Sequence, residues 1–241
     1  MNFCILAGGK SRRMGSDKAF LEFNGRRGVE ILLERFSKEG SVCLSSARGD
    51  MLPRLEIPAA LNIFEVSDSF LDAGPAGGIY SALAQTGEDL FVVAGDMPFA
   101  SPILARQVMA LAGVSGTGPD NGAKVKNGSL KEGGSPDLVV LEGKDHQLEM
   151  LFAYYSIRCR EPLYRMLSDG HYRLRDLAGR VSSRVISFEE WAKAWGSLAW
   201  TDQPEIFKDQ RGADALALAL MNMNRPEDYY RVCELMKGSF G

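Results

Sequence analysis

In the first 112 residues, short apolar runs alternate with stretches of helical periodicity, and that alternation constrains the fold more than any other feature. The runs at 2–7, 41–46, 62–66 and 89–94 have the length and composition of buried strands. Residues 28–38, 75–86 and 101–112 instead carry apolar side chains at helical spacing. Pro75 falls where a first-turn proline is tolerated, and Ser101-Pro102 reads as an N-cap followed by the first helical residue. Strands separated by helices must pair through crossovers, so the pattern predicts βαβ units and a mainly parallel sheet. The expectation is a single Rossmann-like, three-layer α/β/α domain over residues 1–241, a length that one core can fill.

The second half is less regular. Residues 113–135 hold seven glycines between Gly113 and Gly134 and show no periodicity, which predicts an insertion or loop. A mobile active-site flap and a disordered insertion are both compatible with it. Pattern resumes with strand-like "DLVVL" (137–141), "EMLFAYY" (149–155) and "SRVISF" (183–188), and a helix-like stretch over 159–170. A second irregular stretch, about 196–213, precedes "ALALALMNMNRPEDYYRVCELMK", which reads as a strand, a turn at Asn224 and a helix opened by Pro226.

The first strand-like run ends in "LAGGKSRRMGSDKA" (6–19), whose "GGKS" invites comparison with a phosphate-binding P-loop. Spacing excludes it: the required first glycine would be at position 4, which is Cys4. The dinucleotide fingerprint fails as well, because Gly8 and Gly9 are adjacent and the next glycine is Gly15. A glycine-rich turn after a buried strand can still bring backbone N–H groups up to an anion. Lys10, Arg12, Arg13 and Lys18 place positive charge beside it. With a formal net charge of −3 the chain has no basic excess suited to a nucleic acid, so the local cluster fits a small polyanion.

The fourth strand-like run, "DLFVVAGDMPF", ends at Asp96, with Pro98 turning the chain directly afterwards. In an open parallel sheet the ligand lies beyond the carboxyl ends of the strands. Asp96 and the glycine turn would therefore share one crevice. A carboxylate opposite an anion loop calls for a cation between them, and Mg²⁺, which takes oxygen ligands from carboxylates and phosphates together, meets that need. The alternative is that Asp96 caps the turn or helix that follows. Gly74, Gly77 and Gly78 bracket the next helix entry, serving either close packing or a ligand, and Asp68 and Asp72 are candidate turn carboxylates.

Cys4, Cys43, Cys159 and Cys233 form no paired motif and read as reduced thiols. His146 and His171 read as surface or structural groups. Arg173 and Arg175 in "HYRLRDL" belong either to a solvated helix face or to a phosphate site. No run approaches the ~18 apolar residues of a membrane span and no leader pattern opens the chain, so the expectation is a cytoplasmic protein with no membrane partner.

The block "LAGGKSRRMGSDKAFLEFNG" resembles the signature of the molybdenum cofactor guanylyltransferases, the MobA-type branch of the nucleotidyltransferases. "DSFLDAGPAGGIYSAL", "VVAGDMPF", "EMLFAYY" and "NMNRPEDY" are similar to further family blocks, in family order across most of the chain. The resemblance implies a nucleotidyltransferase-type fold, with residues 1–112 as the nucleotide-binding half and 136–241 as the acceptor-binding half. It also implies that Leu6, Ala7, Gly8 and Gly9 meet a guanine nucleotide through the backbone, that Lys18, Arg12 and Arg13 hold phosphates, and that Asp96 binds Mg²⁺. Lys18, Arg13 and Asp96 would be the catalytic set. Ser45 and Asp68 fall at nucleotide-contacting positions, and Asn222 and Asn224 on the pterin side. Ser45 stands where the family often has Asn, Met150 where it has Pro, and Arg225 where it has Thr.

The implied reaction transfers GMP from GTP to the terminal phosphate of molybdopterin and releases pyrophosphate. Transient contact with molybdenum cofactor biosynthesis proteins or recipient molybdoenzymes would accompany it. Cytidylyl-transferring relatives carry LAAG where this chain has LAGG, which favours GTP over CTP. A relative using CTP or a sugar phosphate, and a non-catalytic nucleotide-binding regulator, are the alternatives. The joint presence of Lys18 and Asp96 argues for turnover.

Overall fold

The computed structural model describes residues 1–7, 20–114, 135–195 and 217–237. Its strands are β1 (Asn2–Leu6), β2 (Glu22–Phe23), β3 (Arg26–Arg27), β4 (Ser41–Ser46), β5 (Ile63–Ser67), β6 (Leu90–Ala94), β7 (Leu138–Glu142), β8 (Leu148–Tyr155) and β9 (Ser183–Ile186). Its helices are α1 (Gly28–Ser37), α2 (Pro75–Thr86), α3 (Pro102–Leu111), α4 (Arg160–Ser168), α5 (Phe188–Trp195) and α6 (Pro226–Lys237).

Seven strands form one sheet in the order β5-β4-β1-β6-β8-β7-β9. All pairings are parallel except those of β8, which runs against both β6 and β7. The central strands are apolar on both faces, and their period of two sorts side chains into two layers. Phe3 and Ile5 of β1, Phe91 and Val93 of β6, and Val139 and Leu141 of β7 face the core shared with α1, α3, α5 and α6. Cys4 and Leu6, Leu90 and Val92, and Leu138 and Val140 face the core under α2 and α4. This is the expected three-layer α/β/α architecture. The chain steps from β1 outward to β4 and β5, then returns to the other side of β1 as β6. The switch point, where such folds open a crevice, thus lies between β1 and β6.

Local signals act as expected at three helix starts. Pro75 opens α2 and Pro226 opens α6, while Ser101 caps α3 by accepting a hydrogen bond from the Ile103 N–H. One expectation fails. "ALALAL" read as a strand, yet of its described residues 217–220 the first three are helical and Leu220 is in a turn, and Leu218 and Ala219 are buried against the α1–α3 layer. An apolar run without a period does not choose between strand and helix, and Ala and Leu are strong helix formers. "HYRLRDL" also departs from a solvated helix face: Leu174–Gly179 is a 3₁₀ helix that buries Leu174 and Leu177 and leaves Arg173 and Arg175 exposed. The 196–213 stretch lies outside the described residues, as does most of 113–135.

The β2–β3 hairpin turns on Asn24 and Gly25, both at positive φ (50° and 79°), the pairing that a tight two-residue turn demands. It docks the end of the chain: Phe23 is buried beside the Tyr229 ring, and the Tyr229 hydroxyl donates to the Glu22 carbonyl at 2.9 Å. Phe152 of β8 is fully buried, with its ring edge-on to Phe91 at 4.9 Å. Phe152→Ala is expected to cost about 3–5 kcal/mol, read as a lower urea midpoint with an unchanged slope.

Candidate nucleotide site

The strand register sets the site's floor. Leu6 of β1 is paired with Ser45 of β4 on one side and Ala94 of β6 on the other, and Ser45 is paired with Val66 of β5. Asp68 and Asp96, each two residues beyond this row, stand at the carboxyl ends of β5 and β6. One peptide unit joins the strands at this level. The Leu6 carbonyl accepts from the Gly95 N–H at 2.8 Å, and the Ala7 N–H donates to the Ser45 carbonyl at 2.9 Å. Backbone contact of Leu6 and Ala7 with a ligand therefore has to use other groups than these two. Gly8, Gly9, Arg12, Arg13 and Lys18 lie outside the described residues.

The β5 side carries a built polar pair. The buried Ser45 hydroxyl donates to Asp68 Oδ1 at 3.1 Å. Burial pushes the Asp68 carboxyl above its ordinary range, and the Ser45 hydrogen bond opposes the rise. Ser45 thus acts on its neighbouring carboxylate, a role that its position in the sequence does not reveal. Asp72 is a turn residue, exposed and at a φ of 59°. The glycines of α2 serve close packing. A Cβ on Gly78 would lie 2.7 Å from Ser45 Oγ and 3.1 Å from Leu6 Cδ2, and one on Gly77 would lie 2.8 Å from the Phe70 carbonyl oxygen. Glu65 is a residue that sequence reasoning missed. Its carboxylate accepts from the Ser46 hydroxyl (2.5 Å) and from the N–H groups of Met51 (2.8 Å) and Leu52 (2.9 Å), pinning the loop after Ser45. A lone acid between Phe64 and Val66 of β5 was its only signal.

On the β6 side, Asp96 is half-buried in a turn closed by Met97 N–H to Ala94 carbonyl (3.2 Å) and Ala100 N–H to Met97 carbonyl (3.0 Å). Helix α3 takes its cap from Ser101, so capping it is not the task of Asp96. The Met223 N–H donates to the Asp96 carbonyl at 3.1 Å, which brings the 221–225 loop onto this turn. Asn222, expected near the site, is on that loop. Its Oδ1 is buried and has no hydrogen-bond partner among the described residues. A buried acceptor left in that state is costly unless a donor or cation meets it. Asn224 is exposed, and its N–H and that of Arg225 both donate to Asp228 Oδ2 at the start of α6.

The thiols and imidazoles stand apart from this chemistry. Cys4 and Cys43 face each other on β1 and β4, and the hydrogen bond between them, followed by burial, raises the Cys4 pKa. Burial first, and then the Asp137 charge, pushes Cys159 up to about 12. His146 is exposed in the β7–β8 turn at a φ of 59°, and His171 is exposed after α4.

Comparison with known proteins bears on the family and the fold. The pattern of the MobA-like NTP transferase domain matches residues 3–185. A protein of Pyrococcus horikoshii named probable molybdenum cofactor guanylyltransferase is 32% identical over 196 residues, 79% of this chain and 88% of its own. A Bacillus subtilis protein of the same name is 29% identical over 185 residues, covering 77% of this chain and 81% of its own. The crystal structure of molybdopterin-guanine dinucleotide biosynthesis protein A from Archaeoglobus fulgidus superposes with a TM-score of 0.71 at 20% identity, over 99% of this chain and 100% of that one.

The packing around Gly78 is open to test. A methyl group there must displace Ser45 Oγ or Leu6, so Gly78→Ala is expected to lower stability by about 1–3 kcal/mol in thermal or urea unfolding.

Proposed function

The chain belongs to the MobA-like NTP transferase domain family, and we propose that its reaction is the transfer of GMP from GTP to the terminal phosphate of molybdopterin, with release of pyrophosphate. The observation that supports this reading is the shared row of Ser45, Leu6 and Ala94, beyond which Asp68 and Asp96 stand at the carboxyl ends of β5 and β6, on either side of β1 at the switch point. Residues 1–112 form the donor half in this reading and 136–241 the acceptor half.

The guanine edge offers two adjacent donors, N1–H and N2–H, where cytosine offers an acceptor at N3. A carboxylate suits the first and repels the second. Asp68, with one oxygen engaged by Ser45, is assigned to the base. Lys18, Arg12 and Arg13 are assigned to the triphosphate by their place in the sequence motif. Asn222 and Asn224 are assigned to the pterin side, on the loop that Met223 docks against Asp96.

Among the described residues, the oxygen donors at the crevice fit a hard divalent cation: Asp96 would hold Mg²⁺, and the unpartnered Asn222 Oδ1 lies on the adjoining loop. When bound, the ion supplies positive charge to the triphosphate oxygens as charge moves onto the leaving group. The acceptor phosphate attacks the α-phosphorus, an O–P bond forms, and the bond to the β-phosphate oxygen breaks. A phosphomonoester with a second pKa of ~6 is largely dianionic at neutral pH, so no strong protein base is required. The chain's contribution is to align two polyanions and offset their repulsion.

No described helix is long and apolar enough to cross a membrane. We place the reaction in the cytoplasm, a reading supported by four unpaired cysteines. Passing the product to recipient molybdoenzymes would then require only transient contacts.

Two measurements test the reading. With Mg²⁺ present, GTP is expected to raise the melting temperature more than ATP, CTP or UTP at equal concentration, and a preference for CTP would overturn the base assignment. Asp96→Asn is expected to slow pyrophosphate release from GTP and molybdopterin by roughly 100-fold or more, and unchanged turnover would overturn the metal assignment.

A further inference from the structure

Arg35 lies in the last turn of α1 and reaches away from its own helix. A single guanidinium nitrogen, Nη1, donates to the Pro98 carbonyl at 2.9 Å and to the Ala100 carbonyl at 2.7 Å. Both acceptors belong to the turn that follows Asp96, by two and four residues. The surrounding side chains of Met97, Phe99 and Ala100 are buried, so water has little access to these carbonyls. Among the described residues no carboxylate forms an ion pair with Arg35, while the nearby Arg26 is paired with Glu34 at 2.6 Å. Burial, and then the Arg26 charge, pulls the Arg35 pKa down to about 10, which leaves it a cation at neutral pH. A half-buried cation that meets two carbonyls and, among the described residues, no carboxylate is an expensive way to hold a turn.

The other hydrogen bonds of the segment show what this one adds. Gly95 N–H is held by β1, the Asp96 carbonyl by Met223 N–H, and the turn closes on Ala94 and Met97. None of these backbone bonds engages the Pro98 or Ala100 carbonyl. Arg35 ties the far limb of the turn to α1, on the layer that also packs against β1. A rotation of that limb would swing Asp96 about its anchored carbonyl.

We propose that Arg35 is a positioning residue: its two hydrogen bonds to Pro98 and Ala100 hold the turn so that the Asp96 carboxylate is aimed into the crevice. This rests on the reading of Asp96 as the residue that holds a divalent cation. Removing such an outer partner weakens the site through the ligand it orients.

Mn²⁺ binding in the presence of GTP, followed by electron paramagnetic resonance, reads the effect directly on the full chain. Arg35→Met keeps the side chain's bulk and loses its donors, and is expected to weaken Mn²⁺ binding by about 10-fold or more while metal-free GTP affinity stays within about twofold. Arg35→Lys keeps the charge and a single donor nitrogen on a shorter reach, and is expected to lose only about threefold. A change confined to the melting temperature, with Mn²⁺ affinity unaltered in Arg35→Met, or in Arg35→Lys should the former not fold, would overturn the proposal. Asp96→Asn, measured alongside, separates the two levels. If it binds Mn²⁺ like the parent, the assignment of Asp96 falls and the positioning role with it; if it alone loses Mn²⁺, only the role of Arg35 falls.

Discussion

One peptide unit, the amide between Leu6 and Ala7, ties together the three strands on which the site is built. Its carbonyl is held by Gly95 of the β6 end and its N–H by the Ser45 carbonyl of β4. Two hydrogen bonds to one rigid plane leave little freedom in the relative height of β4, β1 and β6. Strand register thereby sets the level from which Asp68 and Asp96 project, one and two residues past their strands. Such a floor suits a reaction that needs fixed charges, because strands hold side chains more tightly than loops do.

The same closeness explains the glycines that border the floor. A Cβ on Gly95 would lie 2.9 Å from the Leu6 carbonyl oxygen, and one on Gly78 would meet the Ser45 hydroxyl. The space they leave is filled by protein. Their contribution to a ligand is indirect: they let α2 and the β6 end sit close enough for Ser45 to reach Asp68 and for Gly95 to reach β1.

Much of this was legible in the sequence because local chemistry decides it. Proline at the first helical position, serine before it, and short runs apolar on both faces each carry their own reason, and α2, α3, α6 and the parallel strands followed. The antiparallel course of β8 was not legible, since a run buried on both faces reads alike in either direction. The Asn24-Gly25 turn was readable in principle, but its flanking strands are two residues each, below the reach of any periodicity. "ALALAL" failed because alternating Ala and Leu are both apolar and leave no polar face to set a period. At the candidate site, position along the chain singled out Ser45, Asp68 and Asp96 but gave no sign of what they touch. The Ser45–Asp68 bond spans 23 residues, the reach of Arg35 to Pro98 spans 63, and neither leaves a mark in the local sequence.

In the proposed function, two acids at the mouth of a site for a polyanion would repel their own ligand unless each is occupied by something positive or hydrogen-donating. Asp68 is partly occupied already, by the Ser45 hydroxyl, and its burial makes an incoming pair of donors worth more than in water. The loop that carries Asn222, whose buried Oδ1 has no donor among the described residues, is held to the Asp96 carbonyl by the Met223 N–H, and in the proposed function a cation meets the oxygens on that side. The rest of the titratable inventory bears on the same point: Cys4 and Cys159 are held as thiols by burial and neighbouring groups, and both histidines lie on the surface. A chain whose described thiols Cys4 and Cys159 stay protonated and whose histidines lie on the surface, while a serine hydroxyl holds Asp68, is organised to place charge. Attack on phosphorus is then left to an oxygen that the substrate brings.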